Sequence, residues 1–170
     1  MKRLIDALGD LSTRMLTIQY RMNELIMNWI SEKLYESRLQ AHESVAKHLL
    51  CDLENVETDE NTSTALVVID TDGCDMVEMV ADSENGSNDE ESKANEGEAN
   101  IVCSYVSELI KAGVKPETIA VITPYNLQME LIKAKLHTKY DKVEVKSVDG
   151  FQGREKEVYF ESINKITKTN

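Results

Sequence analysis

The chain has 170 residues, 41% hydrophobic and 29% charged, a mixture expected of one globular domain over residues 1–170. No run of about 18 apolar residues occurs and Met1-Lys2-Arg3 leads into a mixed amphipathic stretch, so neither a membrane span nor a secretory signal is expected. The net charge of -12 speaks against nucleic-acid binding until its distribution is read: residues 52–98 hold 16 of the 31 acidic residues and one of the 19 basic ones, which leaves the remainder mildly basic.

In chain order, Leu4, Ile5, Ala7, Leu8 and Leu11 fall at helical spacing and predict a short amphipathic helix weakened by Gly9. Met15-Leu16-Thr17-Ile18 is a compact apolar run suited to a buried strand, which delivers Gln19, Tyr20 and Arg21 to its carboxyl end, where open α/β sheets bind ligands. A helix follows, with Asn23 as N-cap and a buried stripe of Leu25, Ile26, Trp29, Ile30 and Leu34, so Trp29 is expected in the core.

Ala65–Asp70 is a continuous apolar run closed by Thr71-Asp72-Gly73 and reads as a buried strand and turn. The stretch from Asp82 to Glu98 has almost no apolar residues and repels itself, which predicts a solvated acidic surface loop. Ile101, Val102, Tyr105, Val106, Leu109 and Ile110 line one face of a helix ended by Gly113. Thr118–Ile122 is a buried strand stopped by Pro124, and Leu127, Leu131, Ile132 and Leu136 mark another helix whose surface and last turn carry Lys133, Lys135 and Lys139.

Two further strands, Val143–Val148 and Glu157–Ser162, enclose a Gly-Phe-Gln-Gly turn. Strands alternating with helices over short links specify a parallel sheet with helices on both faces. Cys51, Cys74 and Cys103, an odd and scattered set, fit reduced, buried or inert thiols and a cytoplasmic or nuclear location. His42, His48 and His137 have no second ligand at metal spacing, so surface or capping roles are expected and no metal site.

Three segments carry a resemblance: Leu16-Thr17-Ile18-Gln19-Tyr20-Arg21-Met22, Ile122-Thr123-Pro124-Tyr125-Asn126-Leu127-Gln128, and Lys146 through Glu157, which includes Ser147-Val148-Asp149-Gly150-Phe151-Gln152-Gly153-Arg154-Glu155. Together they resemble the second RecA-like domain of superfamily 1B helicases of the immunoglobulin mu-binding and nonsense-decay type. Ala41–Leu50 adds to the match, which extends from about Thr13 to Val158. The fold implied is α/β, a parallel sheet of the P-loop NTPase superfamily flanked by helices and incomplete at its C-terminus.

The resemblance also implies roles. Arg21 matches the arginine that reaches across a domain cleft to the γ-phosphate, a task suited to a permanently charged, forked guanidinium. Tyr20 matches a residue near the adenine, where an aromatic face with a polar tip is useful. Gln19 either positions Arg21, contacts nucleotide or makes a plain backbone hydrogen bond. Gly153 permits close backbone approach and Glu155 can accept hydrogen bonds from a ribose hydroxyl. Thr123 and Ser147 match positions that hold nucleic-acid phosphates through small hydroxyl donors without reading bases. Tyr125 stacks or packs, with packing favoured.

No G-x-x-x-x-G-K-[ST] loop occurs in the chain, and after Val158 the family pattern drifts without an N-V-A-x-T-R-A-R motif. ATP and Mg²⁺ are therefore expected only in a complete two-domain enzyme, with an N-terminal RecA-like domain supplied elsewhere and single-stranded RNA or DNA as partner. The reading is a C-terminal motor fragment of an ATP-dependent 5′-to-3′ helicase, inactive alone. The alternative is a non-catalytic module that binds nucleic acid or a helicase partner.

Overall fold

The computed structural model describes residues 14–80 and 92–163. The helix expected at Leu4–Leu11 lies outside them, as do residues 82–91 of the acidic segment. The elements are β1 (Ile18–Gln19), α1 (Glu24–Leu34), β2 (Gln40–Ala41), α2 (Glu43–Ala46), β3 (Glu78–Val80), β4 (Lys93–Asn95), α3 (Glu96–Lys111), β5 (Ile119–Thr123), α4 (Asn126–His137), β6 (Glu144–Ser147), α5 (Val148–Phe151) and β7 (Val158–Glu161).

The principal sheet is parallel, in the order β6-β5-β7. Its register aligns Val121 with Val145 and Phe160, so Ile119, Val121, Val145, Val158 and Phe160 point to one face. There they meet the apolar stripes of α3 (Ala99, Val102, Val106, Leu109) and α4 (Ile132, Leu136), forming the main core. The alternate residues Ala120, Ile122, Glu144, Lys146, Tyr159 and Glu161 belong to the second face. Because strand order reverses direction after β6, a right-handed crossover from β6 to β7 must return over that second face. The packing agrees: Phe151 of α5 meets Tyr159 edge-on, with centroids 5.6 Å apart.

The helix ends follow their local chemistry. Asn95 caps α3 by accepting from the Glu98 N–H at 3.0 Å, and Gly113 follows the helix with φ +106°. A Cβ on Gly113 would run into the Asn55 carbonyl, so glycine is needed there both for its dihedral and for close backbone approach. Gln128, wholly buried on α4, accepts from the Asn95 N–H (2.8 Å) and donates to the Asn95 carbonyl (3.3 Å) and Ser162 Oγ (3.0 Å), linking three elements through satisfied polar groups.

Four expectations are corrected. The run Met15–Ile18 is not a buried strand: only Ile18–Gln19 pairs, parallel to Gln40–Ala41 in a separate two-stranded ladder, and Leu16 is 86% exposed. Hence the carboxyl end that carries Gln19, Tyr20 and Arg21 is not part of the principal sheet. Ala65–Asp70 forms no strand, and Leu66, Val67, Val68 and Ile69 are exposed, because among the described residues no neighbouring strand pairs with them.

Trp29 is 65% exposed rather than in the core. Helix α1 instead buries Met27 and Ser31, because the returning chain is tied to Ser31: Leu39 N–H donates to its Oγ at 3.0 Å and Ser37 N–H to its carbonyl at 2.9 Å. Finally, the acidic loop does not run to Glu98. Lys93–Asn95 pairs antiparallel with Glu78–Val80, and α3 begins at Glu96, its Glu96 and Glu98 sitting in the first turn where carboxylates suit the helix dipole. Among the thiols, Cys74 is exposed and Cys51 and Cys103 are half-buried; all three are free.

Candidate nucleotide site and nucleic-acid edge

The Gln19 side chain folds the first motif into a tight turn. Its Oε1 accepts from the Arg21 N–H (2.7 Å) and the Met22 N–H (2.9 Å), while its Nε2 donates to the Met22 carbonyl (2.8 Å). All three contacts are to backbone, so Gln19 acts as the brace that aims Arg21. The arginine then reaches a segment 133 positions further on: its guanidinium donates to the Arg154 carbonyl, and its Nε lies 3.9 Å from Glu155 Oε2.

Both side chains of that ion pair are exposed, at 52% for Arg21 and 80% for Glu155. A pair so solvated contributes about 1 kcal/mol or less. A phosphate oxygen could therefore replace the carboxylate at the guanidinium without a large penalty. Beside them, Gly153 has φ +81° and open space where a Cβ would stand, so the turn can approach a ligand closely.

Tyr20 continues the β1–β2 register, in which the His42 N–H donates to the Gln19 carbonyl at 2.9 Å. Its exposed ring stacks on His42, with centroids 4.3 Å apart and planes 29° from parallel. His42 also caps α2, its Nδ1 accepting from the Ser44 N–H at 3.3 Å, one of the two roles, surface or capping, expected of the histidines. His48 lies 3.5 Å from Glu157 and 4.0 Å from Asp52, and His137 Nε2 is 3.2 Å from the Val143 carbonyl.

The turn carrying Glu155 lies at the amino edge of the principal sheet. Arg154 pairs with Glu144, the first residue of β6, and the Glu157 N–H donates to the Thr118 carbonyl just before β5. Thr123 and Ser147 lie at the other edge. They are register partners at the carboxyl ends of β5 and β6, beside a cleft of about 160 Å³ that Pro124, Val148 and Ser162 help to line. Ser147 is half-buried and its Oγ accepts from the Gly150 N–H at 3.3 Å, capping α5. Thr123 is wholly buried, and its Oγ1 accepts from the Tyr125 N–H at 3.4 Å. Of these two hydroxyls the one that reaches the surface is thus Ser147, while Thr123 is buried beside it on the neighbouring strand.

Sequence reasoning singled out Arg21, Gly153 and Glu155 together, and the fold joins them. It missed Glu144, whose carboxylate holds the basic residues on both sides of Glu155. The available signal was the alternation of polar Glu144 and Lys146 with apolar Val143 and Val145, which places a carboxylate on the same sheet face as the Gly-Phe-Gln-Gly crossover.

A parallel sheet in the order β6-β5-β7 with crossovers on both faces defines an α/β domain of the RecA-like type. The AAA domain family model matches residues 1–169. The chain is similar to the DNA-binding protein SMUBP-2 of Mesocricetus auratus, 49% identical over 157 residues that cover 92% of this chain and 15% of that protein. It is also similar to the DNA polymerase alpha-associated DNA helicase A of Schizosaccharomyces pombe, 44% identical over 95% of this chain and 24% of the relative. Regulator of nonsense transcripts 1 of Caenorhabditis elegans is 49% identical over 37% of the chain. The chain belongs to the AAA domain family, as a helicase domain of superfamily 1B. It spans about a sixth to a quarter of the length of the curated relatives named first.

Proposed function

We propose that this chain is the second motor half of an ATP-dependent 5′-to-3′ helicase, offering one edge of its sheet to a nucleotide and the other to a single strand of DNA or RNA. The observation that carries this reading is the convergence of Arg21 with Glu155 beside Gly153, from opposite ends of the sequence. Arg21 would move from Glu155 to the γ-phosphate, where a fixed positive charge stabilises the transferred phosphoryl group. Glu155, so released, would accept from a ribose hydroxyl, and the Tyr20 ring stacked on His42 would meet the base.

ATP is the substrate, and bound Mg²⁺ supplies neutralisation of the β- and γ-phosphate oxygens. Both would be held chiefly by a partner RecA-like domain that carries the phosphate loop. At the carboxyl edge Ser147 would contact backbone phosphates without reading bases, with Thr123 on the neighbouring strand holding the Tyr125 amide. Such an enzyme would work in the cytoplasm, the nucleus or both. Among the described residues no helix is long and apolar enough to cross a membrane.

The test is ATP hydrolysis by the purified chain, alone and mixed with a phosphate-loop domain from one of its relatives. The expected result is no turnover alone, and turnover in the mixture that falls about a thousandfold or more with Arg21→Ala. Robust hydrolysis by the chain alone, abolished by Arg21→Ala, would refute the division of labour.

A further inference from the structure

The fold isolates one buried-side carboxylate between the two basic neighbours of Glu155. Glu144 begins β6 on the second sheet face, and its side chain is only 15% exposed. One of its oxygens takes the Arg154 guanidinium, and the other lies 3.3 Å from Lys156 Nζ. That same ammonium donates to the Glu117 carbonyl at 2.6 Å, and the Lys156 backbone N–H donates to the Tyr159 hydroxyl at 2.7 Å. Arg154 and Lys156 thus share one carboxylate anchor, Lys156 mostly covered and Arg154 half exposed. Glu155, between them, is left pointing outward, and the Arg154 carbonyl accepts from Arg21.

We propose that Glu144 is the positioning residue of the nucleotide site: it fixes the Arg154–Lys156 turn so that the Arg154 carbonyl and the Glu155 carboxylate stand opposite Arg21. The inference rests on the reading of Arg21 and Glu155 as nucleotide-facing. Its physical basis is burial and charge. Glu144 uses both oxygens, and its Lys156 arm, with the side chains 20% and 15% exposed, is screened less than the Arg21–Glu155 pair, while the Arg154 arm is half exposed and adds less. Removing the charge leaves Arg154 and Lys156 adjacent with no shared counter-ion. They repel, the turn loosens, and Glu155 is no longer held where a ribose hydroxyl would meet it. Glu144 itself touches no ligand in this scheme.

The experiment is a titration of the full 170-residue chain, mixed with the phosphate-loop domain of a relative, with Mg²⁺-ATP, followed by NMR at the Arg21 Nε–H and the Glu155 backbone N–H, with thermal unfolding of the chain measured in parallel. Wild type should show saturable shifts at both signals, lost in Arg21→Ala; no shift in wild type overturns the nucleotide reading itself. Glu144→Gln should weaken binding about tenfold, the scale of one charged hydrogen-bond pair, and move the ligand-free Arg21 Nε–H signal while the chain remains folded. The conservative variant Glu144→Asp keeps a carboxylate between Arg154 and Lys156 and should recover binding to within about threefold of wild type. If Glu144→Gln binds within about twofold of wild type while Arg21→Ala does not bind, the positioning role is wrong and the nucleotide reading stands. Should Glu144→Gln unfold, Glu144→Asp decides: folded but binding no better than Arg21→Ala, it overturns the proposal.

Discussion

Residues 14–80 and 92–163 are similarly rich in apolar runs, yet they are packed very differently. In the second region β5 lies between two strands and under two helices, and Ile119, Ala120 and Val121 are wholly buried. In the first, the comparable run Leu66–Ile69 is exposed, and buried side chains are confined to Met27, Ser31 and Thr62 among the described residues. The comparison shows that an apolar run states what a segment requires of its surroundings, whereas burial depends on whether pairing and covering elements are at hand.

The comparison can be tested by substitution. The largest effect is expected for Ile119→Ala, which removes a wholly buried side chain from the sheet core and should cost about 2–5 kcal/mol in chemical denaturation. Gly113→Ala comes next, at the seam where the Glu57 N–H donates to the Ala112 carbonyl at 2.7 Å. A positive φ and a clash with the Asn55 carbonyl together should cost about 1–3 kcal/mol. If Gly113→Ala melts like wild type, residues 55–57 are not firmly docked on the second region.

Gln128→Leu keeps the volume but leaves the Asn95 N–H unpaired in a buried place, with an expected loss of about 1–3 kcal/mol and faster hydrogen exchange at that amide. Trp29→Ala, despite removing the largest side chain of all, should cost no more than about 0.5 kcal/mol, since the indole is mostly exposed. A loss comparable to that of Ile119→Ala would show that Trp29 is covered in solution.

The smallest difference is chemical rather than energetic. Burial raises the Cys103 thiol above its ordinary range, with Lys135 opposing the shift, while Cys74 is exposed. A raised value keeps Cys103 as the unreactive thiol through neutral and mildly alkaline pH. Alkylation should therefore label Cys74 first, and Cys103 should catch up only as pH rises; equal rates at pH 8 would contradict the burial of α3 against the sheet.

Local signals account for the elements read correctly. Asn23 carries a side-chain acceptor at the right offset before an apolar pattern, and it caps α1 by accepting from the Leu25 N–H at 2.9 Å. Gly113 follows the last apolar residue of α3 and takes the positive φ that ends a helix. The strand ended by Pro124 and the polar turn around Gly153 likewise depend on chemistry within a few residues of chain. The site was legible to the same extent: the motifs that carry Arg21 and Glu155 are contiguous in sequence, so both could be named before their meeting was known.

What the sequence by itself determined was therefore the set of caps, turns, apolar faces and chemically apt side chains, because each is fixed by interactions between near neighbours. The tertiary structure decided which apolar faces found cover and which did not. It also decided that Arg21 lies beside Glu155 rather than beside Thr123, and that Glu144 anchors the turn between them. Periodicity gives the direction of a side chain relative to its own backbone. Only strand order and crossover direction determine which distant backbone stands opposite.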